Sequence, residues 1–319
     1  MTEEKINSFA HTPVLLEEVM SFLRPAHDRA ECLLVDGTVG EGGHSEEFLK
    51  RFSKMKIICV DADKHQITTA AERLKKYLPR VRFVKSRFSD FFNNYDVKGN
   101  PRPDRILLDL GISMFHFKES GRGFSFQKDE KLDMRLSNET KKTAASIINN
   151  ESEQEIARIL FEYGEERASR RIARAIVEAR KQSPIKTTTQ LAGIVKKAVG
   201  QAGKSKINPA TKTFQALRIA VNHELEELKA GLEKGFSILS DHGRMGVISF
   251  HSLEDRIVKW FFKDKARECI CPSNVPICQC RGKKELVELT KKPIVPGSAE
   301  MKSNPASRSA KLRVVEKCL

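Results

Sequence analysis

Three aspartates each close an apolar run. Asp36 follows Leu33-Leu34-Val35, Asp61 follows Ile57-Ile58-Cys59-Val60, and Asp109 follows Ile106-Leu107-Leu108. After the first comes Gly37-Thr38-Val39-Gly40-Glu41-Gly42-Gly43-His44, and Ser45-Glu46-Glu47-Phe48-Leu49 then reads as the start of a helix. In a parallel sheet the carboxyl ends of the strands share one edge, so three acids there can face one ligand. Glycines in such a turn let backbone approach that ligand closely. An acid after a second strand is placed to accept hydrogen bonds from ribose hydroxyls. One such aspartate alone reads as a helix N-cap. Three of them beside a glycine turn read as the seat of a nucleoside-containing cofactor.

The cofactor class follows from what the turn lacks. A dinucleotide fingerprint needs G-x-G-x-x-G/A, whereas Gly40-Glu41-Gly42-Gly43-His44-Ser45 ends on serine and sets Glu41 where a pyrophosphate would lie. No G-x₄-G-K-[ST] is present to cradle a triphosphate. An acidic, glycine-rich turn suits a cofactor with a positive centre, and S-adenosylmethionine carries one in its sulfonium. A nicotinamide-dependent oxidoreductase stays open as a rival, as does a non-catalytic RNA-binding assembly factor.

The elements that must position these residues alternate. Val14–Leu23 reads as an amphipathic helix stopped by Pro25. Strands are expected at Cys32–Asp36, Lys56–Asp61, Val81–Lys85 and Ile106–Asp109, with helices at Ser45–Phe52 and Lys64–Tyr77 between them. The rhythm breaks over Ser113–Thr143. Helical stretches follow at Glu151–Lys181 and Thr187–Val199. A helix over Phe214–Lys234, a strand over Gly243–Phe250 and a helix over Leu253–Ala266 restore the order, and Glu285–Thr290 and Lys311–Val315 are further strand candidates. This predicts an α/β fold with a mostly parallel, seven-stranded sheet. Residues 1–112 and 213–319 form the core, and 113–212 form an inserted helical domain.

The 319 residues carry a net charge of +15, divided as +1 over residues 1–112, +8 over 113–212 and +6 over 213–319. A basic excess outside the cofactor half points to a polyanionic partner, RNA or DNA rather than a membrane. No run approaches the ~20 apolar residues of a membrane span, and Met1–Ser8 lacks the apolar core of a secretory signal. A cytoplasmic location is expected. Cys269, Cys271, Cys278 and Cys280 are spaced C-x-C twice, unlike the C-x₂₋₄-C of structural zinc. They read as a cysteine-rich surface loop, and no metal is expected. On a helical wheel, Arg167, Arg170, Arg171, Arg174 and Lys181 gather on one side and Ala168, Ile172, Ala175, Ile176 and Ala179 on another. The basic side is either a solvated face paired with Glu165, Glu166 and Glu178 or a surface for RNA.

Longer motifs carry a resemblance. They include His11-Thr12-Pro13-Val14-Leu15-Leu16-Glu17-Glu18, Asp36–Ser45, Leu107–Ser113, Arg122-Gly123-Phe124-Ser125-Phe126 and Leu132-Asp133-Met134-Arg135. Further on come Tyr163-Gly164-Glu165-Glu166-Arg167, Thr213–Arg218, Ser249–Arg256 and Asn304-Pro305-Ala306-Ser307-Arg308-Ser309. In this order, over almost the whole chain, they resemble the MraW-type bacterial small-subunit rRNA cytosine-N4 methyltransferases (the methyltransferase H family). The resemblance implies a Rossmann-like class I S-adenosylmethionine methyltransferase core with a helical domain inserted after the fourth strand. It also implies methyl transfer to N4 of a decoding-centre cytosine in 16S rRNA of the small ribosomal subunit. The family's cofactor contacts fall on Gly42, Gly43, His44, Asp61, Phe88 and Asp109. A further contact, usually glutamine, falls on His116. The family's D-L-G-[VI]-S-S-P-Q here reads Asp109-Leu-Gly-Ile-Ser113-Met114-Phe115-His116.

The reaction makes its own demands. The exocyclic amine of cytosine is a poor nucleophile because its lone pair is delocalised into the ring. An enzyme must align it with the methyl group and hydrogen-bond its N–H groups. Asp109 is the candidate to bind the cofactor, to orient the amine, or to do both. Ser249 could hydrogen-bond the base and His251 could accept the proton, unless Ser252 with Asp255 simply caps the next helix. A methyl acceptor within folded RNA must be extruded. Phe124 and Phe126, set among Gly121, Arg122, Gly123 and Lys128, are candidates to stack on it. Arg170 and Arg174 are candidates for the RNA backbone.

Overall fold

The computed structural model describes residues 12–27, 30–137, 139–200, 208–269 and 284–319. The chain divides into two compact units, Met1–Gly111 with Leu225–Leu319, and Ile112–Glu224.

The first unit is built on seven strands: β1 (Cys32–Asp36), β2 (Met55–Asp61), β3 (Val81–Lys85), β4 (Arg105–Asp109), β5 (Arg244–Ser249), β6 (Leu286–Glu288) and β7 (Lys311–Lys317). They form one sheet in the order β3-β2-β1-β4-β5-β7-β6. β1 to β5 pair in parallel, and β7 runs antiparallel between β5 and β6. A dinucleotide-binding sheet has the order 3-2-1-4-5-6, so the wedged β7 distinguishes this sheet from the oxidoreductase alternative. The mostly parallel, seven-stranded α/β sheet that the sequence predicts is the architecture the chain adopts.

The strands read as near-continuous apolar runs because both faces are covered. On one face Leu34, Ile57, Cys59 and Leu107 pack with side chains of α1 (Leu16–Leu23), α2 (Gly43–Arg51) and α3 (Lys64–Leu74), among them Leu23, Phe48 and Leu74. The intervening residues Val35, Ile58, Val60, Ile106 and Leu108 face a second core. That core includes Phe92 of α4 (Phe88–Asn93), a helix that periodicity did not reveal.

The second unit is helical. Its elements are α5 (Met114–Lys118), α6 (Ala144–Asn150), α7 (Glu153–Glu162), α8 (Ser169–Gln182), α9 (Thr188–Val199) and α10 (Ala210–Asn222). The stretch read as one helix over Glu151–Lys181 is two. The break falls where Glu165 adopts φ 48° and where a side chain on Gly164 would lie 2.7 Å from the carbonyl oxygens of Leu160 and Lys212. Apolar spacing continues across that turn, so periodicity alone cannot show it. The unit extends past residue 212 to Glu224 because Phe214, Leu217 and Val221 of α10 belong to its core, with Ile148, Ile156, Ile172 and Leu191. Asn222 ties this end down: its side-chain amide donates to the carbonyl of Met134 at 2.8 Å and its oxygen accepts from Leu136 N–H at 2.9 Å.

His223, at φ 54°, separates α10 from α11 (Glu224–Ile238), so the helix expected over Phe214–Lys234 is also two. With α12 (Ser252–Lys265), α11 covers the second face of the sheet through Leu228, Leu232, Val258 and Phe262. A short α13 (Ser298–Ser303) precedes β7. Among the described residues no helix is long and apolar enough to cross a membrane. Cys271, Cys278 and Cys280 lie outside the described residues, as does His11.

Candidate active site

Strand register shapes the site. Asp36 aligns with Cys59 on β2 and with Leu107 on β4. Asp61 and Asp109, the last residues of those strands, therefore stand two residues beyond it, roughly 6.6 Å further along the edge. An offset of two keeps all three side chains on one face of the sheet. The central strand stops short, and the glycine turn fills the step between its taller neighbours. The chain also reverses strand order here, since β1 leads outward to β2 and β3 while β4 lies on its other side. Open α/β sheets bind ligands at such a switch point.

Hydrogen bonds lash the turn to both flanking strands. Gly40 N–H donates to Asp61 Oδ2 at 3.0 Å, and Asp63 N–H donates to Asp61 Oδ1 at 2.8 Å. On the other side Asp109 N–H donates to Thr38 Oγ1 at 2.6 Å, and Asp109 Oδ1 accepts from Gly111 N–H at 3.1 Å. Asp61 and Asp109 are half-buried. Asp36 differs: it is 2% exposed and accepts from the Ser45 hydroxyl at 2.6 Å. Burial pushes its carboxyl up to about 6, against the hydrogen bond from Ser45 and the field of His44. The expectation that three acids face the ligand is thus corrected to two, because the short central strand sinks Asp36 beneath the turn.

The glycines and His44 are explained by packing as much as by a ligand. Gly42 caps α2 at φ 82°, and a side chain there would press on Ala70 and Leu74. A Cβ on Gly43 would lie 2.7 Å from Pro13. His44 is buried, with Nε2 3.0 Å from the carbonyl of Val14 and Nδ1 3.8 Å from Asp109 Oδ2. Thr12 in turn accepts from the Asn304 amide at 2.9 Å, and Leu15 N–H donates to Glu300 at 2.8 Å. The first and last of the quoted motifs therefore meet against the glycine turn. Phe88 opens α4 and packs against Gly231, where a Cβ would lie 2.1 Å from its ring; a Cβ on Gly37 would lie 2.6 Å from Leu108 and 3.3 Å from Phe88.

Around the end of β5 the expected cap is corrected. His251, rather than Ser252, is the N-cap of α12: its Nδ1 accepts from Glu254 N–H at 3.4 Å, while Glu254 Oε2 accepts from Phe250 N–H at 2.8 Å. His251 Nε2 lies 3.1 Å from Glu254 Oε1, so both ring nitrogens face Glu254. Asp255 pairs instead with Arg313 at 2.7 Å and Lys311 at 3.4 Å, which hold its carboxyl below the usual range against the effect of burial. Ser249 is buried, its hydroxyl donating to the carbonyl of Lys311 at 3.4 Å.

The remaining sequence candidates belong to the helical unit. His116 is buried, its ring 5.3 Å from that of Phe124 and 5.6 Å from that of Phe115. Phe124 is 6% exposed within the helical core, and Phe126 packs edge-on to Phe214 at 5.0 Å. Phe124 is thus buried in that core, while Phe126 is half-buried against it. Arg167, Arg170, Arg171, Arg174 and Lys181 are exposed and Ile172 and Ile176 buried, as the wheel predicts; Ala168, Ala175 and Ala179 are half-buried, and Ala173, which the wheel left out, is buried. Arg174 lies 3.8 Å from Glu153 and Lys181 2.7 Å from Glu178. Sequence reasoning missed Thr38 as the link to Asp109. Its hydroxyl sits two residues after the end of β1, inside the glycine turn, and no local pattern marks it.

The donor set fits an adenosyl cofactor. A half-buried carboxylate ends β2, where a ribose diol would be held. A second carboxylate ends β4, and the backbone at Gly40 is open, with no atom nearer than 4.0 Å to where a Cβ would lie.

Comparison with known proteins agrees. Ribosomal RNA small subunit methyltransferase H of Treponema denticola is 53% identical over 308 residues, covering 96% of this chain and 97% of that protein. The proteins of the same name from Caldicellulosiruptor bescii and Pelobacter propionicus are 46% and 44% identical, each over 97% of this chain and 99% of theirs. The sequence profile of the MraW methylase family matches residues 8–318. From its glycine turn to its last strand, this chain belongs to the MraW methylase family.

Proposed function

We propose that the protein methylates N4 of a decoding-centre cytosine in 16S rRNA of the small ribosomal subunit, in the cytoplasm. The observation that carries this reading is the pair of half-buried carboxylates, Asp61 and Asp109, raised on either side of a short central strand. S-adenosylmethionine supplies a methyl group carried on a sulfonium. Asp61 would accept its ribose hydroxyls, and Gly42, Gly43, His44 and Phe88 would shape the remainder of its seat.

Asp109 orients the target amine. Its carboxylate accepts an N–H of the base and turns the nitrogen lone pair out of conjugation as the bond forms. Thr38, by accepting the Asp109 N–H, holds that carboxylate in place. The proton departs after methylation, when the ammonium is acidic, so no dedicated base is required. With both ring nitrogens turned to Glu254, His251 serves the cap of α12. Ser249 fastens the end of β5 to β7. The helical unit contributes affinity for the RNA backbone through Arg170 and Arg174.

The test is transfer of labelled methyl to isolated small subunits and to naked 16S rRNA, with the product nucleoside identified by mass spectrometry. N4-methylcytidine is expected. Methylation of a ring carbon or a ribose oxygen would sink the assignment.

A further inference from the structure

The outer face of α12 is not accounted for by the site. Arg256, Lys259, Trp260 and Lys263 fall at i, i+3, i+4 and i+7, one face of a helix, while Val258 and Phe262 point into the sheet core. Trp260 is 53% exposed. The ammonium groups of Lys259 and Lys263 lie 5.5 and 5.6 Å from the centre of its ring. Beside it runs a groove of about 360 Å³ between α11 and α12, floored by Leu232, Ile257 and Phe261 and edged by Lys229 and Arg256. Glu233 is its acidic lining residue.

A half-exposed indole ringed by cations is poorly suited to the core and well suited to a polyanion that carries flat rings. Single-stranded nucleic acid has this chemistry: bases stack on aromatic side chains while phosphates follow the positive charge. An acidic peptide would match the charge but would leave the indole face without a planar partner. We propose that the α11–α12 groove is a second RNA-binding surface, on the sheet-containing unit, which takes an unpaired nucleotide of the ribosomal RNA substrate. Trp260 stacks on the base, and Lys229, Arg256, Lys259 and Lys263 hold the neighbouring phosphates. This rests on RNA being the substrate. It adds an anchoring contact made by residues that have no part in cofactor binding.

Trp260 is the single tryptophan of the chain, so intrinsic indole fluorescence reports on this surface alone. The full-length protein is titrated with a single-stranded oligoribonucleotide and with isolated small subunits. Saturable quenching is expected with both. Filter binding should show W260A weakening RNA affinity about tenfold. The K259E/K263E variant should lower affinity similarly and make its logarithmic salt dependence shallower by ~1.5, with S-adenosylmethionine affinity unchanged by calorimetry in both. RNA that binds to saturation with unchanged fluorescence overturns the inference, as does quenching that follows protein concentration without RNA or that an acidic protein alone produces. Methyl transfer by the unaltered protein is measured alongside. Transfer without quenching removes only this surface, whereas absence of transfer to any subunit or rRNA removes the functional reading itself.

Discussion

The carboxyl edge of the sheet and the arginine face of α8 are both rich in charge, yet they are built in opposite ways. At the sheet edge backbone register sets Asp61 and Asp109 two residues above Asp36, and backbone N–H groups of Gly40, Asp63 and Gly111 fix the carboxylates. On α8 the arginines are exposed and meet acids at the length of a flexible side chain, as with Arg174 and Glu153 at 3.8 Å. The first arrangement delivers position and the second delivers field. Chemistry that needs an aligned amine belongs to the first, and attraction of a polyanion to the second.

Substitutions can break that contrast in order of size. Asp109→Ala should reduce methyl transfer by roughly a hundredfold or more, the scale of a misplaced reacting group, while calorimetry shows cofactor affinity changed far less. A parallel loss of affinity would move Asp109 from the amine to the cofactor. Asp61→Ala should weaken S-adenosylmethionine binding by about ten- to a hundredfold, the value of hydrogen bonds to a charged acceptor, with a smaller effect on the rate at saturation. Arg170→Glu with Arg174→Glu should lower RNA affinity about tenfold and flatten its salt dependence, without moving cofactor affinity. Unchanged RNA binding would make this face a solvated one.

The smallest effect concerns Asp36 and is read as stability. Its folded carboxyl is raised by burial to about 6 from an ordinary value of 3.8. The native state therefore binds more protons than the unfolded chain between those values, and stability falls as pH rises through that window. Asp36→Asn removes this titration and keeps an acceptor for Ser45. Thermal unfolding between about pH 4 and 6 should lose part of its pH dependence in the variant. An unaltered profile would show that the carboxyl titrates alike in both states.

The strands were the most legible part of the molecule. β1 and β3 fall at the limits that apolar runs and their closing residues predict: β1, covered on both faces, is apolar up to Asp36, while β3, at the sheet edge, mixes apolar residues with the exposed Arg82 and Lys85. Helix breaks were not legible. The turns at Gly164 and His223 interrupt patterns whose apolar spacing continues on both sides, and α4 is too short to show a period. The fate of Phe124 and Phe126 was equally hidden, since an aromatic beside glycines has the same sequence whether it packs in a core or waits for a base.

By itself the sequence determined the alternation of strands and helices, the acids at the strand ends, the glycine turn and the basic excess. Each depends on neighbours along the chain or on composition. Tertiary structure decided which acids face outward, since that follows from register between strands distant in sequence. It decided that His251 caps a helix, and that Asn304 bonds to Thr12 while the adjoining Pro13 and Val14 meet Gly43 and His44. It also left Trp260 on the surface among lysines, a placement that depends on which side of α12 the sheet covers.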